Sequence, residues 1–224
     1  MSFRAVLFDA AETLFTTRGS VGEIYANVAQ KYGSTVPSEV IQTSFREHFK
    51  GAGPLSPENQ KEWWKDIVNA VFEEVGMIEN FDHFFNEVYD TFRDSQGWML
   101  FPETVEVLQE LKDRHLKLGV ISNFDSRIYT VMESLHVRHF FDAVVLSSET
   151  GFAKPDQEIF DAAIEAIGCP AAEILFVGDS LEDDVEAGSR AGLTTVLIDR
   201  TGRHAGQYRV QRIASLKEVL KLTA

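Results

Sequence analysis

The pattern of apolar and polar positions divides the chain into strand-like and helix-like segments. Short apolar runs bounded by turn or polar residues predict buried strands, and they are Ala5–Phe8, Leu116–Ile121, Ala143–Ser147, Ile174–Val177 and Thr195–Ile198. Helical periodicity separates the later runs, at Pro102–Arg114, Arg127–Leu135, Gln157–Ile167 and Asp183–Ala191. Alternating strands and helices, with the strands apolar on both faces, predict a parallel sheet covered by helices on both sides.

The segment from residue 17 to residue 97 has a different pattern. Its periodicity is helical throughout, in "GSVGEIYANVAQKYG", "PSEVIQTSFREHF", "ENQKEWWKDIVNAVFEEVG" and "NFDHFFNEVYDTFRDS". We therefore predict an insert of about four helices between the first strand and the rest of the α/β domain. The aromatic residues of this insert are expected to form its core, namely Trp63, Trp64, Phe72, Phe81, Phe84 and Phe85.

Composition narrows the possible partners and the environment. The net charge of −14 disfavours nucleic-acid binding, since no basic stripe is available to neutralise phosphates. The single cysteine, Cys169, excludes an internal disulfide and a thiolate zinc site, and it is expected to be a small buried residue. The sequence has neither a secretory signal pattern nor an apolar run of membrane-spanning length, so a cytoplasmic protein is expected, without a membrane partner.

Polar residues follow four of the predicted strands. Asp9 follows "AVLF", Ser122 and Asn123 follow "LKLGVI", and Asp179 follows "ILFVG". Lys154, in "GFAKPD", comes after the strand "AVVL". Because ligands of open parallel sheets bind beyond the carboxyl ends of the strands, these residues are expected to meet in one crevice.

The residue types at this crevice are suited to phosphoryl transfer. Asp9 and Asp179 offer hard oxygen ligands of the kind that Mg²⁺ prefers. Ser122 and Lys154 can hold phosphoryl oxygens, and Asp9 can attack phosphorus to form an aspartyl phosphate. Each residue alone has a more ordinary explanation, for example a strand-end turn for Asp9. Their order and strand context together favour a site for a small, phosphorylated substrate.

Four motifs of the chain resemble the haloacid dehalogenase-like (HAD) hydrolase superfamily. They are "VLFDAAETLF", "VISNFD", "FAKPD" and "FVGDSLEDDVEAGSRAGL", and the resemblance covers the whole chain. The helical insert after the first motif is similar to the subfamily I group, and "SVGEIYANVAQKYG" and "SNFDSRI" resemble the Reg-2-like subgroup. The resemblance implies a Rossmann-like α/β core domain, residues 1–16 and 98–224, with an all-helical cap domain, residues 17–97. It also implies a Mg²⁺-dependent phosphatase.

The resemblance assigns a role to each candidate site residue. Asp9 becomes the nucleophile and a metal ligand, and three residues contact the phosphoryl group, namely Ser122, Asn123 and Lys154. The other metal-site residues are the backbone carbonyl of Ala11, the carboxylate of Asp179 and, through water, Asp184.

Two residues of the first motif depart from the pattern of the phosphatases. Ala11 stands where they have a second aspartate, which protonates the leaving oxygen and then activates water. A positioned acid/base is worth about 10²–10⁴ in rate, so substrates with good leaving groups, such as acyl or aryl phosphates, are favoured. Glu12 replaces a glycine, which often marks a backbone with positive φ.

Three alternatives remain at this level. A metal-independent 2-haloacid dehalogenase also lacks the second aspartate, although Asp179 beside Asp9 argues against it, because without a cation the two would repel each other and a carboxylate substrate. A phosphonoacetaldehyde hydrolase-like enzyme would need a Schiff-base lysine in the insert, with four candidates: Lys31, Lys50, Lys61 and Lys65. A catalytically weak or inactive binding protein with the same fold is the third.

Overall fold

The computed structural model describes residues 3–52, 55, 58–204, 206 and 210–224. In these residues the strands are β1 (Ala5–Phe8), β2 (Phe15–Thr17), β3 (Trp98–Leu100), β4 (Lys117–Ser122), β5 (Ala143–Leu146), β6 (Ile174–Gly178), β7 (Thr194–Ile198) and β8 (Arg212–Ile213). Six of them form one sheet in the order β5-β4-β1-β6-β7-β8, with every neighbouring pair parallel. The predicted parallel sheet is confirmed, and each predicted strand overlaps an observed one.

Every helical segment that the periodicity predicts is observed, and two short α-helices that it does not predict are also present among the described residues. Within the described part of the chain the α-helices are α1 (Val21–Gln30), α2 (Ser38–Gly51), α3 (Gln60–Val75), α4 (Phe81–Thr91), α5 (Thr104–Asp113), α6 (Arg127–Ser134), α7 (Ser147–Thr150), α8 (Gln157–Ile167), α9 (Ala187–Arg190) and α10 (Val219–Leu222). Helices α1 to α4 follow one another between β2 and β3. A π-helical segment, Leu181–Glu186, runs directly into α9.

The packing of the central strand β1 explains why its sequence is apolar at every position instead of alternating. Val6 and Phe8 belong to one hydrophobic cluster, and Ala5 and Leu7 belong to a second. Successive side chains of a strand point to opposite faces, so both faces of the sheet are covered at β1. The strand is hydrogen-bonded to β4 on one side and β6 on the other, which places its carboxyl end at the middle of the sheet.

The aromatic residues of α3 and α4 only partly follow the expectation. Phe72, Phe84 and Phe85 are almost fully buried and form the core of the four helices. Trp63, Trp64 and Phe81 are only partly buried. The apolar cluster of the helices is continuous with the cluster on one face of the sheet, which also contains Phe8.

Strands β2 and β3 form a two-stranded antiparallel ribbon where the chain enters and leaves α1 to α4. Thr16 lies opposite Met99 in this register, and the Arg18 N–H donates to the Gly97 carbonyl at 2.9 Å just beyond it. The sequence pattern does not predict either strand, because three residues are too few to show a period of two.

The environment of the single cysteine and the character of the helices relate to two expectations from composition. Cys169 is buried and free, as predicted for a small core residue. Among the helices of the described residues, none combines the length and the apolar character that crossing a membrane requires.

Candidate active site

The predicted site residues meet at the carboxyl ends of the central strands. Asp9 directly follows β1, Ser122 ends β4, and Asp179 directly follows β6. One cavity of about 360 Å³ is lined by every candidate site residue of the sequence, namely Asp9, Ala11, Ser122, Asn123, Lys154, Asp179 and Asp184. We call the end of this cavity formed by Asp9, Lys154, Asp179 and Asp184 the polar end.

Lys154 joins two carboxylates at the polar end. Its Nζ donates to Asp9 Oδ1 and to Asp184 Oδ1, both at 2.6 Å, and all three residues are buried. Burial by itself lowers the pKa of Lys154, but the attraction of Asp184 and Asp9 outweighs it and raises the pKa above its usual range. Lys154 therefore remains a cation at the centre of the site.

One lysine does not balance the carboxylates around it. Burial raises the pKa of Asp9 to about 7; Lys154 opposes this shift, while Asp184 and Asp179 add to it. Burial and the charge of Asp184 raise the pKa of Asp179 to about 6, and Arg203 Nη2 donates to Asp179 Oδ2 at 2.8 Å from the outer side. Carboxylate oxygens of Asp9, Asp179 and Asp184 lie within 4.8 Å of one another. This arrangement can hold a divalent metal ion, since hard oxygen ligands and excess negative charge both favour one.

Asn123 holds the main chain of Lys154. The Asn123 amide nitrogen donates to the Lys154 carbonyl at 2.8 Å, and the Lys154 N–H donates to Asn123 Oδ1 at 2.7 Å. This double hydrogen bond gives Asn123 a positioning function for the lysine. The neighbouring Ser122 is buried and lines the cavity, and its hydroxyl has no hydrogen-bond partner among the described residues. Ser122 is therefore available to an oxygen of a substrate.

The segment "GDSLEDD", residues 178–184, brings the carboxylates of Asp179 and Asp184 to the polar end. The Ser180 N–H donates to Asp184 Oδ2 at 2.9 Å, and the Asp183 N–H donates to Ser180 Oγ at 3.1 Å. A Cβ atom at Gly178 would lie 2.3 Å from the Asp184 Cγ, so only glycine leaves room for this carboxylate. The π-helical segment Leu181–Glu186, which begins within these residues, is a form often found at functional sites.

The two unusual residues of the first motif both line the cavity. Ala11 offers no ionisable group. Glu12 adopts a φ of 61°, the conformation for which glycine is favoured, and its Oε1 accepts a hydrogen bond from Thr16 Oγ1 at 2.7 Å. Glu12 thus keeps the loop conformation that the usual glycine would allow.

A buried ion pair next to Asn123 is a feature that our sequence analysis missed. Arg127 donates from Nε to both oxygens of Asp125, at 2.9 and 3.0 Å, and Arg127 also lines the cavity. Trp64 of α3 donates its indole N–H to Asp125, and the Arg127 guanidinium lies 4.1 Å from the ring centre of Tyr89 in α4. The signal was an Asp and an Arg two residues apart, in the loop and first helical position that follow a buried strand.

The other end of the cavity is aromatic. Seven rings line it, and we call them the aromatic wall: Tyr25, Phe45, Phe49, Trp64, Phe92, Trp98 and Phe124. Trp64 was expected in the core of the insert, so its position on the cavity corrects that expectation. The error arose because an apolar stripe on a helix can face either a core or a cavity.

Known proteins are similar to this chain in both sequence and fold. Residues 3–192 match the family model described as haloacid dehalogenase-like hydrolase. Haloacid dehalogenase-like hydrolase domain-containing protein 3 of Danio rerio is 31% identical over 206 residues, covering 88% of this chain and 85% of that protein. Rhythmically expressed gene 2 protein of Drosophila melanogaster is 27% identical over 215 residues, covering 88% of this chain and 83% of that protein. These matches bear out the resemblance to a Reg-2-like group.

Solved structures agree on the fold. The L-2-haloacid dehalogenase RSc1362 has a TM-score of 0.80 at 22% identity, covering all of this chain and 99% of that one. A HAD phosphatase from Thermococcus onnurineus has a TM-score of 0.67 at 23% identity, covering 98% and 97%. Since the fold is shared by both kinds of protein, the choice between their chemistries depends on the residues of the site.

Proposed function

This chain belongs to the haloacid dehalogenase-like hydrolase family, and from that premise we propose that it is a Mg²⁺-dependent phosphatase acting on a small phosphorylated molecule. In this proposal Asp9 is the nucleophile. Residues 17–97 act as a cap domain over the core domain of residues 1–16 and 98–224. The observation that carries the proposal is the group of three carboxylates, with oxygens within 4.8 Å of one another, around one buried lysine.

The polar end fits a hard divalent cation. Burial and mutual repulsion raise the pKa of Asp9 and of Asp179, so the group is short of positive charge. Mg²⁺ held by Asp9, Asp179, Asp184 and the carbonyl of Ala11 would supply the charge that neutralises a phosphoryl group during transfer.

The residues of the chain account for the bond changes. An oxygen of Asp9 attacks phosphorus, the bond from phosphorus to the leaving oxygen breaks, and that oxygen keeps the electron pair. Lys154 and the Ser122 hydroxyl hold the phosphoryl oxygens, and Asn123 fixes the main chain of Lys154. Water then attacks the aspartyl phosphate at phosphorus, the bond from phosphorus to the Asp9 oxygen breaks, and inorganic phosphate leaves with the protons of the water. Because Ala11 offers no base to activate this water, the second step is expected to be slow for every substrate.

Ala11 limits the substrates in this proposal. No acid stands at this position to protonate the leaving oxygen, so the oxygen must leave as a stable anion. Acyl and aryl phosphates meet this condition, whereas simple alkyl phosphates do not.

The Schiff-base alternative finds no support in the cavity. Among the described residues that line it, the lysine present is Lys154, which is bound to two carboxylates. Of the lysines on the four helices, Lys31 pairs with Glu87 and Lys65 pairs with Asp82.

The test is an assay of phosphate release with added Mg²⁺ and with a chelator. We expect turnover of aryl and acyl phosphates that falls by about 100-fold or more with the chelator, because a bound metal contributes several kcal/mol of charge stabilisation. The same samples are assayed for chloride release from 2-chloropropionate. Chloride release in the presence of chelator, without phosphate release, would instead identify a dehalogenase.

A further inference from the structure

We propose that the substrate is an aryl phosphate, the phosphate ester of an uncharged aromatic alcohol, whose ring packs against the aromatic wall. This inference rests on the proposed phosphatase function and selects aryl over acyl phosphates. It follows from the arrangement of the rings, from their position beside the phosphoryl-binding residues, and from the charges around them.

Three rings of the wall are arranged for stacking. Phe45, Phe49 and Trp64 are nearly parallel, with interplanar angles of 8° to 19° and centroid distances of 5.7 to 6.3 Å. Phe49 keeps 43% of its surface exposed although it is a large apolar residue lining a cavity. A flat ring laid against this group would cover apolar surface that now faces the cavity, and aromatic groups favour such contacts.

The rings of the wall contact one another in a continuous series, because Phe92 contacts both Tyr25 and Trp98, at 5.7 and 6.0 Å between ring centres. Tyr25 packs on Phe45 at 5.4 Å between ring centres, and Trp98 packs on Phe124 at 5.4 Å. Phe124 directly follows Asn123, the residue that holds the main chain of Lys154. Because Asn123, Phe124 and Lys154 line the same cavity, a leaving group attached to a phosphoryl group at the polar end would face the wall.

Among the cavity-lining residues that the structure describes, no unpaired cation lies beside the wall to receive a second anionic group. The cation nearby is Arg127. Its guanidinium donates three hydrogen bonds to the carboxylate of the buried Asp125, at 2.6, 2.9 and 3.0 Å. An uncharged ring fits these surroundings better than a leaving group that carries its own carboxylate, because an unpaired buried charge is costly.

The absence of an acid at Ala11 leads independently to the same substrate class. An aromatic alcohol leaves as a phenolate, in which the ring stabilises the negative charge, so little protonation is needed. An acyl phosphate would also leave readily, but an aliphatic acyl group would not use the stacked rings.

The test separates ring recognition from leaving-group acidity. The full chain with Mg²⁺ is assayed on phenyl phosphate and on hexafluoroisopropyl phosphate, two esters whose alcohols are of comparable acidity. We expect kcat/KM to be about tenfold higher for phenyl phosphate, the effect of one or two well-placed aromatic contacts.

Variants of Phe49 test whether the wall causes the preference. Phe49→Ala is expected to lower the preference to about threefold or less, mainly through KM, because it removes one aromatic contact. Phe49→Tyr keeps the ring and should retain the preference. Val40→Ala is the matched control, since Val40 lies on the same helix, is 46% exposed and does not line the cavity.

The outcomes distinguish the two proposals. Equal kcat/KM for the two esters, with Mg²⁺-dependent phosphate release from both, would overturn the aryl inference and leave the phosphatase function standing. If neither ester releases phosphate, the result counts against the phosphatase function. In that case calorimetry with phenylphosphonate and isopropylphosphonate in Mg²⁺ decides the inference: a preference for the phenyl compound that Phe49→Ala removes supports it, and equal affinity overturns it.

Discussion

The two ends of the cavity are built in opposite ways. At the polar end, charged side chains from strand ends, a loop and the π-helical segment lie together, and Lys154 is fixed through both its ammonium and its main chain. At the aromatic wall, apolar rings from α1, α2 and α3 contact one another, and one of them, Phe49, stays partly exposed. The polar end is suited to one reaction, whereas the wall is suited to selecting what enters.

The two ends also differ in what they contribute to stability. Clustered carboxylates with raised pKa values oppose folding near neutral pH, so the polar end is arranged for function at some expense of stability. The aromatic wall packs apolar surface together and stabilises the folded chain. Substitutions of the carboxylates at the polar end should therefore lower activity without lowering stability, whereas substitutions at the aromatic wall should lower stability more than activity.

The largest expected effect is the loss of turnover in Asp9→Asn. The amide cannot act as the nucleophile, so we expect phosphate release to fall by at least about 1,000-fold, the order seen when a covalent nucleophile is removed. Rates with phenyl phosphate and Mg²⁺ measure this, and circular dichroism checks that the fold is kept. Activity equal to that of the parent would contradict the role of Asp9.

A gain of activity is the next effect in size. In Ala11→Asp a carboxyl group would be restored at a position that lines the cavity. We expect turnover of a simple alkyl phosphate to rise by about 100-fold, the lower end of the usual range for a positioned acid/base. The control is Ala11→Asn, which has the same shape and cannot transfer a proton. An equal gain in both variants would show that shape, rather than acid catalysis, limits the parent.

The same Asp9→Asn change should stabilise the metal-free chain. Burial first, then Asp184 and Asp179, raise the pKa of Asp9 from 3.8 to about 7 against the pull of Lys154. The folded state therefore binds the proton more tightly than the unfolded state does, and the stability contributed by the protonated group is lost as pH rises from about 4 to about 7. The Asp9→Asn variant has no carboxyl group to ionise at this position, so its stability does not fall for this reason as the pH rises.

Melting curves in chelator between pH 4 and pH 8 measure this difference. The melting temperature of Asp9→Asn should exceed that of the parent by several degrees above pH 7, since 1 kcal/mol corresponds to about 2–4 °C in a chain of this size. Asp161→Asn removes the same charge from an exposed position of α8 and should follow the parent. A constant gap across the pH range would mean that titration of Asp9 is not the cause.

The smallest effect is expected from Trp64→Phe at the aromatic wall. The change keeps a ring but removes the indole N–H that donates to the buried Asp125, whose other partner, Arg127, remains. Loss of one hydrogen bond to a charged group should lower the free energy of unfolding by about 1–3 kcal/mol, with only a few-fold change in kcat/KM. Denaturant unfolding measures the first, and unchanged stability would show that this contact between α3 and the segment after β4 is unimportant.

The polar end could be predicted because its residues follow from chain order. A buried strand predicts where its carboxyl end lies, and a parallel sheet brings several such ends together. Asp9, Ser122 and Asp179 could be located by this rule alone. The hydrogen bonds between Asn123 and Lys154 could not, because two loops that are distant in sequence must come together before this contact exists.

The aromatic wall could not be predicted for a different reason. Helical periodicity identifies an apolar stripe, but it does not tell which part of the stripe meets a core and which part meets a cavity. Phe45 and Phe49 lie four residues apart on the same face of α2, yet Phe45 is 9% exposed and Phe49 is 43% exposed. The neighbouring helices decide the difference, because Phe45 packs on Tyr25 of α1 and on Trp64 of α3, whereas Phe49 packs only on its own helix and on α3 among the ring contacts of the described residues.

The ribbon of β2 and β3 determines how α1 to α4 can move relative to the sheet. Both chain connections to these helices pass through the ribbon, and the main-chain hydrogen bond from Arg18 to Gly97 continues it. Two separate connections could twist or slide independently, whereas two paired strands bend together. The helices are therefore attached through one paired connection, and we expect any rigid motion of them to be a swing of the aromatic wall toward or away from the polar end.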